Sequence, residues 1–237
     1  MQIAFQTAAN IEDKTNADYN LNNPEKTINP LLQGLYRRGI KKVFHYNLSD
    51  LVKDGVLIAD GYDINLNAIG KDGKLDFSYS PSKRALNDFD IIFARGDDVN
   101  KKTKEKALQI DSLEDTVLIN SGYATLSTRD KFEIPKRFSQ YPELIPQTIC
   151  VSKEEDLKEA WSTINTDYVV LKGRYGSSGK EVEKFPRTKE GYAQAKDYFK
   201  GVGELVAQEF LPEISQGDVR INIFDGEILG CSKRIPG

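Results

Sequence analysis

The chain has 237 residues and a formal net charge of −3, with 33 lysines and arginines against 36 aspartates and glutamates. This length is enough for one or two domains with a substantial hydrophobic core. A near-neutral, slightly acidic chain is not expected to bind nucleic acid through charge. The sequence has no apolar run near the roughly 18 residues of a membrane span and no signal-peptide pattern at its start. We therefore expect a cytoplasmic protein with neither nucleic-acid nor membrane partners.

Two cysteines, Cys150 and Cys231, and the single histidine, His45, stand in apolar, strand-like segments. In a cytoplasmic chain, two such cysteines favour reduced core thiols over a disulfide or a catalytic thiol. Because there is no second histidine and no cysteine spacing of a metal site, zinc binding and Ser-His catalysis are not expected. We interpret His45 as a hydrogen-bonded structural residue.

The first half of the sequence alternates strands with helices. A long polar loop, 7–23, follows the first strand, and charge gathers at 95–98 where a buried strand ends. Ligands bind at that edge of open α/β sheets, although a charged turn explains the same residues equally well. The alternation predicts a doubly wound α/β domain over residues 1–122. The predicted strands are 3–5, 42–46, 56–69, 74–79, 89–94 and 117–119, and the predicted helices are 27–39 and 101–110.

A second unit, 123–203, is predicted to begin with a helix capped by Ser127 or Thr128, with Asp130 in its first turn. Lys131 in that turn would oppose the helix dipole, which indicates a ligand role, although an exposed lysine is the ordinary explanation of such a residue. The segment from Ser152 to Glu155 reads as a capping box, and Thr188 and Gly201 as the start and stop of a later helix. The predicted strands are 147–151 and 169–171, and the helices are 153–164 and 189–199.

The last predicted part, 204–237, contains a strand and a hairpin that turns at 225–226. Three strands with no helix after them would leave one face of a sheet uncovered. We therefore expect that a C-terminal part is missing and that the chain alone is inactive.

The segment between Lys172 and Lys180 is rich in glycine and serine and joins two strand-like segments. Successive backbone N–H groups in such a loop can point into one concavity and bind an anion. It is not a P-loop, because Gly173 and Gly179 are one residue too far apart and Glu181 follows the lysine. It is not a dinucleotide fingerprint either, because its glycines are evenly spaced and it precedes a strand. A glycine-rich flap and an ordinary hairpin turn both remain possible.

This loop belongs to an ordered series of short segments. In chain order they are Leu118-Ile119-Asn120-Ser121, Arg129-Asp130-Lys131-Phe132, Val170-Leu171-Lys172 with Gly176-Ser177-Ser178-Gly179, Gln208-Glu209-Phe210-Leu211-Pro212-Glu213-Ile214, Gly217-Asp218-Val219-Arg220, Asp225-Gly226-Glu227 and Arg234-Ile235-Pro236. The series resembles the ATP-grasp superfamily, and most closely the bacterial-type glutathione synthetases. The resemblance implies an α/β fold, α+β in its second half: a Rossmann-like pre-ATP-grasp domain followed by a small lobe and an incomplete large lobe.

The resemblance also assigns roles to individual residues. Arg220 and Arg234 would act at the phosphate and acyl-phosphate region, and Arg95 would bind substrate. The metal ligands for Mg²⁺ would lie beyond residue 237, so no metal-binding residue is predicted within the chain. The residues implied to bind ATP are Lys131, Lys172, Gly176, Ser177, Ser178, Gly179, Gln208, Glu209, Phe210, Leu211 and Asp218.

The reaction implied is ATP-dependent ligation of a carboxylate and an amine through an acyl phosphate, in glutathione synthetases between γ-glutamylcysteine and glycine. The family's Arg-x-Asp-Pro-Pro segment appears here as Arg95-Gly96-Asp97-Asp98-Val99, without either proline. The alternatives are therefore a ligase for another peptide or amino-acid-like acceptor, and a non-catalytic nucleotide-binding protein on the same fold. Homo-oligomers are common in the family, so self-association is possible.

Overall fold

A computed structural model describes residues 1–7, 28–95, 102–175, 181–224 and 226–235, apart from the side chains of 52–54 and 224. The polar loop predicted after the first strand lies largely outside these residues, as do 176–180 of the glycine-rich loop. The chain forms two compact units, Met1–Asp130 and Lys131–Gly237. In the described residues no helix combines the length and the apolar character needed to cross a membrane.

The first unit is a six-stranded sheet with three α-helices. The strand order is β4-β3-β2-β1-β5-β6, in which β2, β1, β5 and β6 are parallel and the long β3 and β4 add antiparallel strands at one edge. The predicted strands and helices are all present. They are β1 (Ile3–Gln6), α1 (Ile28–Arg37), β2 (Lys42–Asp54), β3 (Val56–Ile69), β4 (Leu75–Ala85), β5 (Ile91–Ala94), α2 (Lys104–Ile110), β6 (Val117–Ile119) and α3 (Gly122–Arg129).

Successive side chains of β1 belong to two different hydrophobic clusters. Phe5 lies in one cluster with Leu32 of α1. Ala4 lies in the other with Ala107 and Ile110 of α2. Because successive residues of a strand point to opposite faces, the two helices cover opposite faces of the sheet. The first unit is thus doubly wound, as the alternation of strands and helices predicted.

The start of α3 differs from the prediction. Ser121 is the N-cap, and its hydroxyl accepts a hydrogen bond from the Ala124 N–H at 3.0 Å. The Asp111 carboxylate accepts from the N–H groups of Gly122 and Tyr123. Capping by Ser127 or Thr128 is wrong, because both lie inside this helix and their hydroxyls donate back to the Ala124 carbonyl. Asp130 follows the helix as its C-cap instead of standing in a first turn.

The second unit has a four-stranded antiparallel sheet and a separate hairpin. The sheet order is β7-β10-β8-β9, and β11 pairs with β12. Its α-helices and strands are α4 (Glu133–Arg137), β7 (Thr148–Val151), α5 (Glu154–Thr163), β8 (Tyr168–Gly173), β9 (Val182–Pro186), α6 (Lys189–Val202), β10 (Leu205–Glu209), β11 (Asp218–Phe224) and β12 (Glu227–Arg234).

The compact units do not coincide with the three predicted parts. The helix α3, predicted to open the second part, packs against α2 within the first unit. The strand β10, predicted to open the third part, lies between β7 and β8 in the sheet of the second unit. Sequence spacing alone gave no signal for this long-range pairing.

Helices α5 and α6 cover one face of the second sheet. Leu157 and Ala160 of α5 and Ala195 of α6 join a buried cluster with alternate strand residues such as Leu171 and Ala207. Two predicted helix ends shift. The carboxylate of Asp156 caps the N–H groups of Ser152 and Lys153, so the N-cap is Lys153. Helix α6 continues past Gly201 and ends at Gly203, which adopts φ +82°.

Cys150 and Cys231 are not joined in a disulfide. Cys150 is half-buried, whereas Cys231 is exposed on β12, so the interpretation of both as core residues is wrong for Cys231. The hairpin strand that carries Cys231 is exposed along its whole length, which an apolar sequence pattern does not reveal.

Gly122 allows a close approach of α3 to α2. A Cβ at this position would overlap the backbone carbonyl of Ala107, whereas a Cβ at Gly201 of α6 would meet nothing within 4 Å. We expect Gly122→Ala to lower the free energy of unfolding by about 1–3 kcal/mol, because the helices must move apart. Gly201→Ala should raise it by about 0.5–1 kcal/mol, because alanine favours helix. Chemical denaturation measures the free energy of unfolding of both variants. An equal change in the two would contradict the close packing of α3 on α2 at Gly122.

His45 predicts a pH dependence of stability. It is buried on β2, 2.7 Å from the hydroxyl of Thr7, and burial lowers its pKa from 6.5 to about 4. Because the folded state resists protonation of His45, the neutral imidazole makes its full contribution to the free energy of unfolding above pH 6.5. That contribution is lost as the pH falls towards 4. Between pH 7 and pH 5 the loss should be about 2 kcal/mol. In His45→Gln the slope of unfolding free energy over that range should flatten, whatever the variant's absolute stability. An unchanged slope would contradict the assignment.

Candidate functional site

The face of the second sheet opposite α5 and α6 carries several of the predicted site residues. Strand β8 places Val170 and Lys172 on this face, while Val169 and Leu171 point into the core. The register sets Gln208 of β10 and Lys184 of β9 on either side of Val170. The apolar run of β8 therefore supplies both a buried face and a face that a ligand can contact.

A cavity of about 410 Å³ opens on this side of the second unit. This volume is within the range of small-molecule sites, and apolar walls with a few polar groups are typical of them. Four residues predicted to bind ATP are among its lining: Lys172, Glu209, Phe210 and Leu211. The other lining residues are Pro146, Val170, Val182, Lys184 and Ile214.

Lys172 is the central cation of this cavity. Its ammonium donates a hydrogen bond to the side-chain carbonyl of Gln208 at 2.6 Å, and Gln208 in turn donates to the hydroxyl of Thr148 at 2.7 Å. Burial lowers the pKa of Lys172 from its usual value. A neutral amide partner leaves the positive charge uncompensated, so the site favours an anion.

Lys184, a cation that sequence reasoning missed, lines the cavity beside Phe210. Phe210 and Tyr168 meet edge to face with ring centroids 5.8 Å apart, and the ammonium of Lys184 lies 4.4 Å from both centroids. Glu209 is held at the base of this wall, where its carboxylate accepts from the Gln147 N–H at 2.9 Å. In the sequence, Lys184 is one of several charged residues in an alternating strand, and only the register with Val170 reveals its place.

Lys131 lies beside the end of β8, before the glycine-rich loop. Its backbone N–H donates to the Arg174 carbonyl at 3.1 Å, and its ammonium donates to the Gly173 carbonyl at 2.7 Å. Arg174 forms an ion pair with Glu204 at 2.9 Å and lies over the ring of Phe132. These contacts fix the segment from which the loop departs. The predicted loop residues Gly176, Ser177, Ser178 and Gly179 lie outside the described residues.

The remaining predicted residues of the second unit form their own cluster on the hairpin. Asp218 and Arg234 face each other across β11 and β12 and make a bidentate ion pair, with Nε 3.0 Å from Oδ1. The hydrogen bonds from Arg234 lower the pKa of the Asp218 carboxyl, and Arg220 lowers it further. None of these three residues lines the cavity beside Lys172.

Arg95 lies in the first unit, just after β5. It lines a cavity of about 290 Å³ together with Asn120, which follows β6, and residues of α3. The structure thus places the predicted substrate residue at the carboxyl ends of parallel strands, where open α/β sheets bind ligands.

The described residues offer no group of three or more histidine, cysteine, aspartate or glutamate side chains arranged to hold a metal ion. They do not by themselves fit a Mg²⁺ site. The chemistry that the cavity residues can supply is cationic and apolar: the half-buried ammonium of Lys172, the ammonium of Lys184 over aromatic rings, and hydrophobic walls for a planar ring.

Comparison with known sequences identifies the relatives of this chain. Residues 136–237 match the family model described as prokaryotic glutathione synthetase, ATP-grasp domain. The glutathione synthetase of Agrobacterium fabrum is 25% identical over 205 residues, which cover 82% of this chain and 60% of that protein. The enzyme of Vibrio cholerae is 29% identical over 210 residues, which cover 84% and 62%. The chain thus spans about three fifths of the length of these curated relatives.

Solved structures show the same fold. A RimK domain protein ATP-grasp from Sphaerobacter thermophilus superposes with a TM-score of 0.62 at 16% identity, covering 99% of this chain and 73% of that one. The D-cycloserine synthetase DcsG superposes with a TM-score of 0.64 at 13% identity, covering 98% and 67%. At this level of identity the likeness establishes the fold, and the family model adds the sequence resemblance. The chain therefore has the fold of these ATP-grasp structures and is similar to the glutathione synthetases, whose ATP-grasp domain model matches residues 136–237.

Proposed function

We propose that this chain belongs to an ATP-dependent carboxylate–amine ligase of the glutathione synthetase type, and that the cavity beside Lys172 binds ATP. The observation that carries the proposal is the half-buried Lys172 in an apolar cavity beside the end of β10, within the segment that matches the family's ATP-grasp domain. The natural small-molecule substrates would be ATP, a peptide or amino-acid carboxylate, and an amine.

The cavity residues suit a nucleoside triphosphate. Val170, Val182, Phe210 and Leu211 provide apolar surface for the adenine ring. Lys172 supplies a charge-assisted hydrogen bond to a phosphate oxygen, and the cost of its burial falls when an anion replaces its neutral partner Gln208. The ammonium of Lys131 is directed at the Gly173 carbonyl at the end of β8, where it would meet a second phosphate oxygen.

The reaction proposed has two steps. A carboxylate oxygen of the acceptor attacks the γ-phosphorus of ATP, so that ADP leaves and an acyl phosphate forms. The amine nitrogen then attacks the acyl carbon, phosphate leaves, and a proton is lost to give the amide. The lysines would contribute by positioning ATP and neutralising phosphate charge. Mg²⁺ would shield the phosphates when bound, and its ligands, together with the roles of Arg220 and Arg234, stay predictions. Cytoplasmic location and self-association also remain predictions.

The proposal predicts separate effects of one substitution on binding and on stability. Lys172→Met should lower ADP affinity at least tenfold, because a phosphate contact is lost. It should not lower the melting temperature, because a half-buried charge is replaced by an apolar chain of similar length. Calorimetric titration with ADP and thermal unfolding measure the two effects. Lys158→Ala on the exposed face of α5 is the control and should leave ADP affinity unchanged. Equal affinities in the two variants would contradict the site.

Ligase activity provides the second test. Protein expressed from the intact gene, given ATP, Mg²⁺, γ-glutamylcysteine and glycine, should release ADP and phosphate and form the tripeptide. If ADP and phosphate are released only with another carboxylate from a substrate panel, the ligase proposal stands and that carboxylate is the acceptor. The altered segment after Arg95 motivates this panel. ADP binding without release for any carboxylate and amine would favour the non-catalytic alternative.

A further inference from the structure

We propose that Arg174 is a positioning residue for nucleotide binding, because its guanidinium holds the Lys131 ammonium in place at the end of β8. The guanidinium does so through a carboxylate partner, Glu204, and an aromatic ring, Phe132. The inference rests on the proposed ATP site, since it takes Lys131 as a phosphate contact. Arg174 and Glu204 themselves are outside the set of residues to which the family resemblance assigns a role.

Residues 131 and 132 are attached to the end of β8 by three contacts. The Lys131 N–H donates to the Arg174 carbonyl at 3.1 Å, and the Lys131 ammonium donates to the Gly173 carbonyl at 2.7 Å. The third contact joins two side chains: the guanidinium carbon of Arg174 lies 4.3 Å from the centroid of the buried Phe132 ring. Of these three contacts, the third is the one that depends on the side chain of residue 174, so substitution can remove it alone.

Glu204, between α6 and β10, fixes the direction of the Arg174 side chain. Its carboxylate accepts from Nη1 of Arg174 at 2.9 Å, and its backbone carbonyl accepts from the Arg174 N–H at 3.0 Å. The two side chains are 20% and 34% exposed. Because both are partly withdrawn from water, solvent and salt screen this ion pair less than a pair on the open surface. Arg174 therefore links the start of the second unit to the end of β8 and the start of β10.

A planar guanidinium suits this position better than an ammonium would. It can stack on an aromatic ring and donate in its own plane to a carboxylate at the same time. An ammonium is a compact, strongly hydrated charge without a flat face, so it cannot make both contacts with the same geometry. The contacts of Arg174 to Phe132 and Glu204 thus depend on the shape of the guanidinium as well as on its charge.

Glu204 separates an effect of position from an effect of charge. If Arg174 served only as a positive charge for the phosphates, removing the Glu204 carboxylate would raise the net positive charge and strengthen ADP binding. If Arg174 acts by holding Lys131, removing the carboxylate releases the guanidinium from its orientation and weakens ADP binding. The two explanations therefore predict opposite signs.

The experiment titrates protein expressed from the intact gene with ADP by calorimetry. Arg174→Lys keeps the positive charge and loses the planar group, and it should weaken ADP binding about fivefold. Glu204→Gln should weaken it about threefold, because a neutral amide orients the guanidinium less firmly than a carboxylate does. Arg187→Lys is the matched control, at an exposed arginine of the second unit that donates to the Asn165 side chain, and should leave ADP affinity unchanged.

A double-mutant cycle tests whether Arg174 acts through Lys131. Lys131→Met alone should weaken ADP binding about tenfold, because a phosphate contact is lost. In that background Arg174→Lys should have no further effect, whereas a merely structural role would leave the two effects additive. Phe132→Leu removes the ring and keeps an apolar side chain, so it should show the same dependence on Lys131. It takes the place of Arg174→Lys if that variant does not fold.

Several outcomes would overturn the inference: unchanged ADP affinity in Arg174→Lys or Phe132→Leu, tighter binding by Glu204→Gln, or additive effects in the cycle. Normal ADP binding by Lys131→Met would overturn it as well. In each of these cases the proposed ATP site stands if Lys172→Met still weakens ADP binding. Absence of ADP binding by the unaltered protein would refute the ATP site and this inference together.

Discussion

The half-buried ammonium of Lys172 is the interaction on which the candidate site of the second unit depends. A cation on a half-covered sheet face needs an acceptor, and among the described residues the side-chain carbonyl of Gln208 accepts its hydrogen bond. That contact requires β10 to lie directly beside β8, and the Gln208–Thr148 hydrogen bond extends the requirement to β7. The order of the three strands thus brings one ammonium, one amide and one hydroxyl together on this face of the sheet.

The two units form their cavities by different means. In the first unit the cavity lies at the carboxyl ends of parallel strands, and Arg95 and Asn120 reach it simply because they follow β5 and β6. In the second unit the cavity lies on the face of an antiparallel sheet, and its lining alternates with core residues along each strand. A helix covers the apolar positions of β8, and the positions between them remain for ligand.

Sequence reasoning recovered the strands and helices because their signals are local. The alternation in β3 and β4, the apolar runs of β1, β5 and β8, and the spacing of leucines in α1 each lie within one element. It missed the local Ser121 cap of α3, and it failed where an interaction spans many residues: Asp111 also caps α3, and β10 pairs with β7 as well as with β8. In the candidate site, motif resemblance led to Lys172 and to Glu209, Phe210 and Leu211. Lys184 belongs to no motif segment, and only the register with Val170 locates it.

Lys131 has a consequence for the energetics of nucleotide binding. Its ammonium and its backbone N–H both bond to the start of the glycine-rich loop, at Gly173 and Arg174. A lysine side chain that is free in solution loses up to about 2 kcal/mol of rotamer entropy when a ligand immobilises it. Here much of that ordering is already complete. In the proposed ATP site, phosphate binding would therefore exchange one acceptor of the Lys131 ammonium for another at little entropic cost.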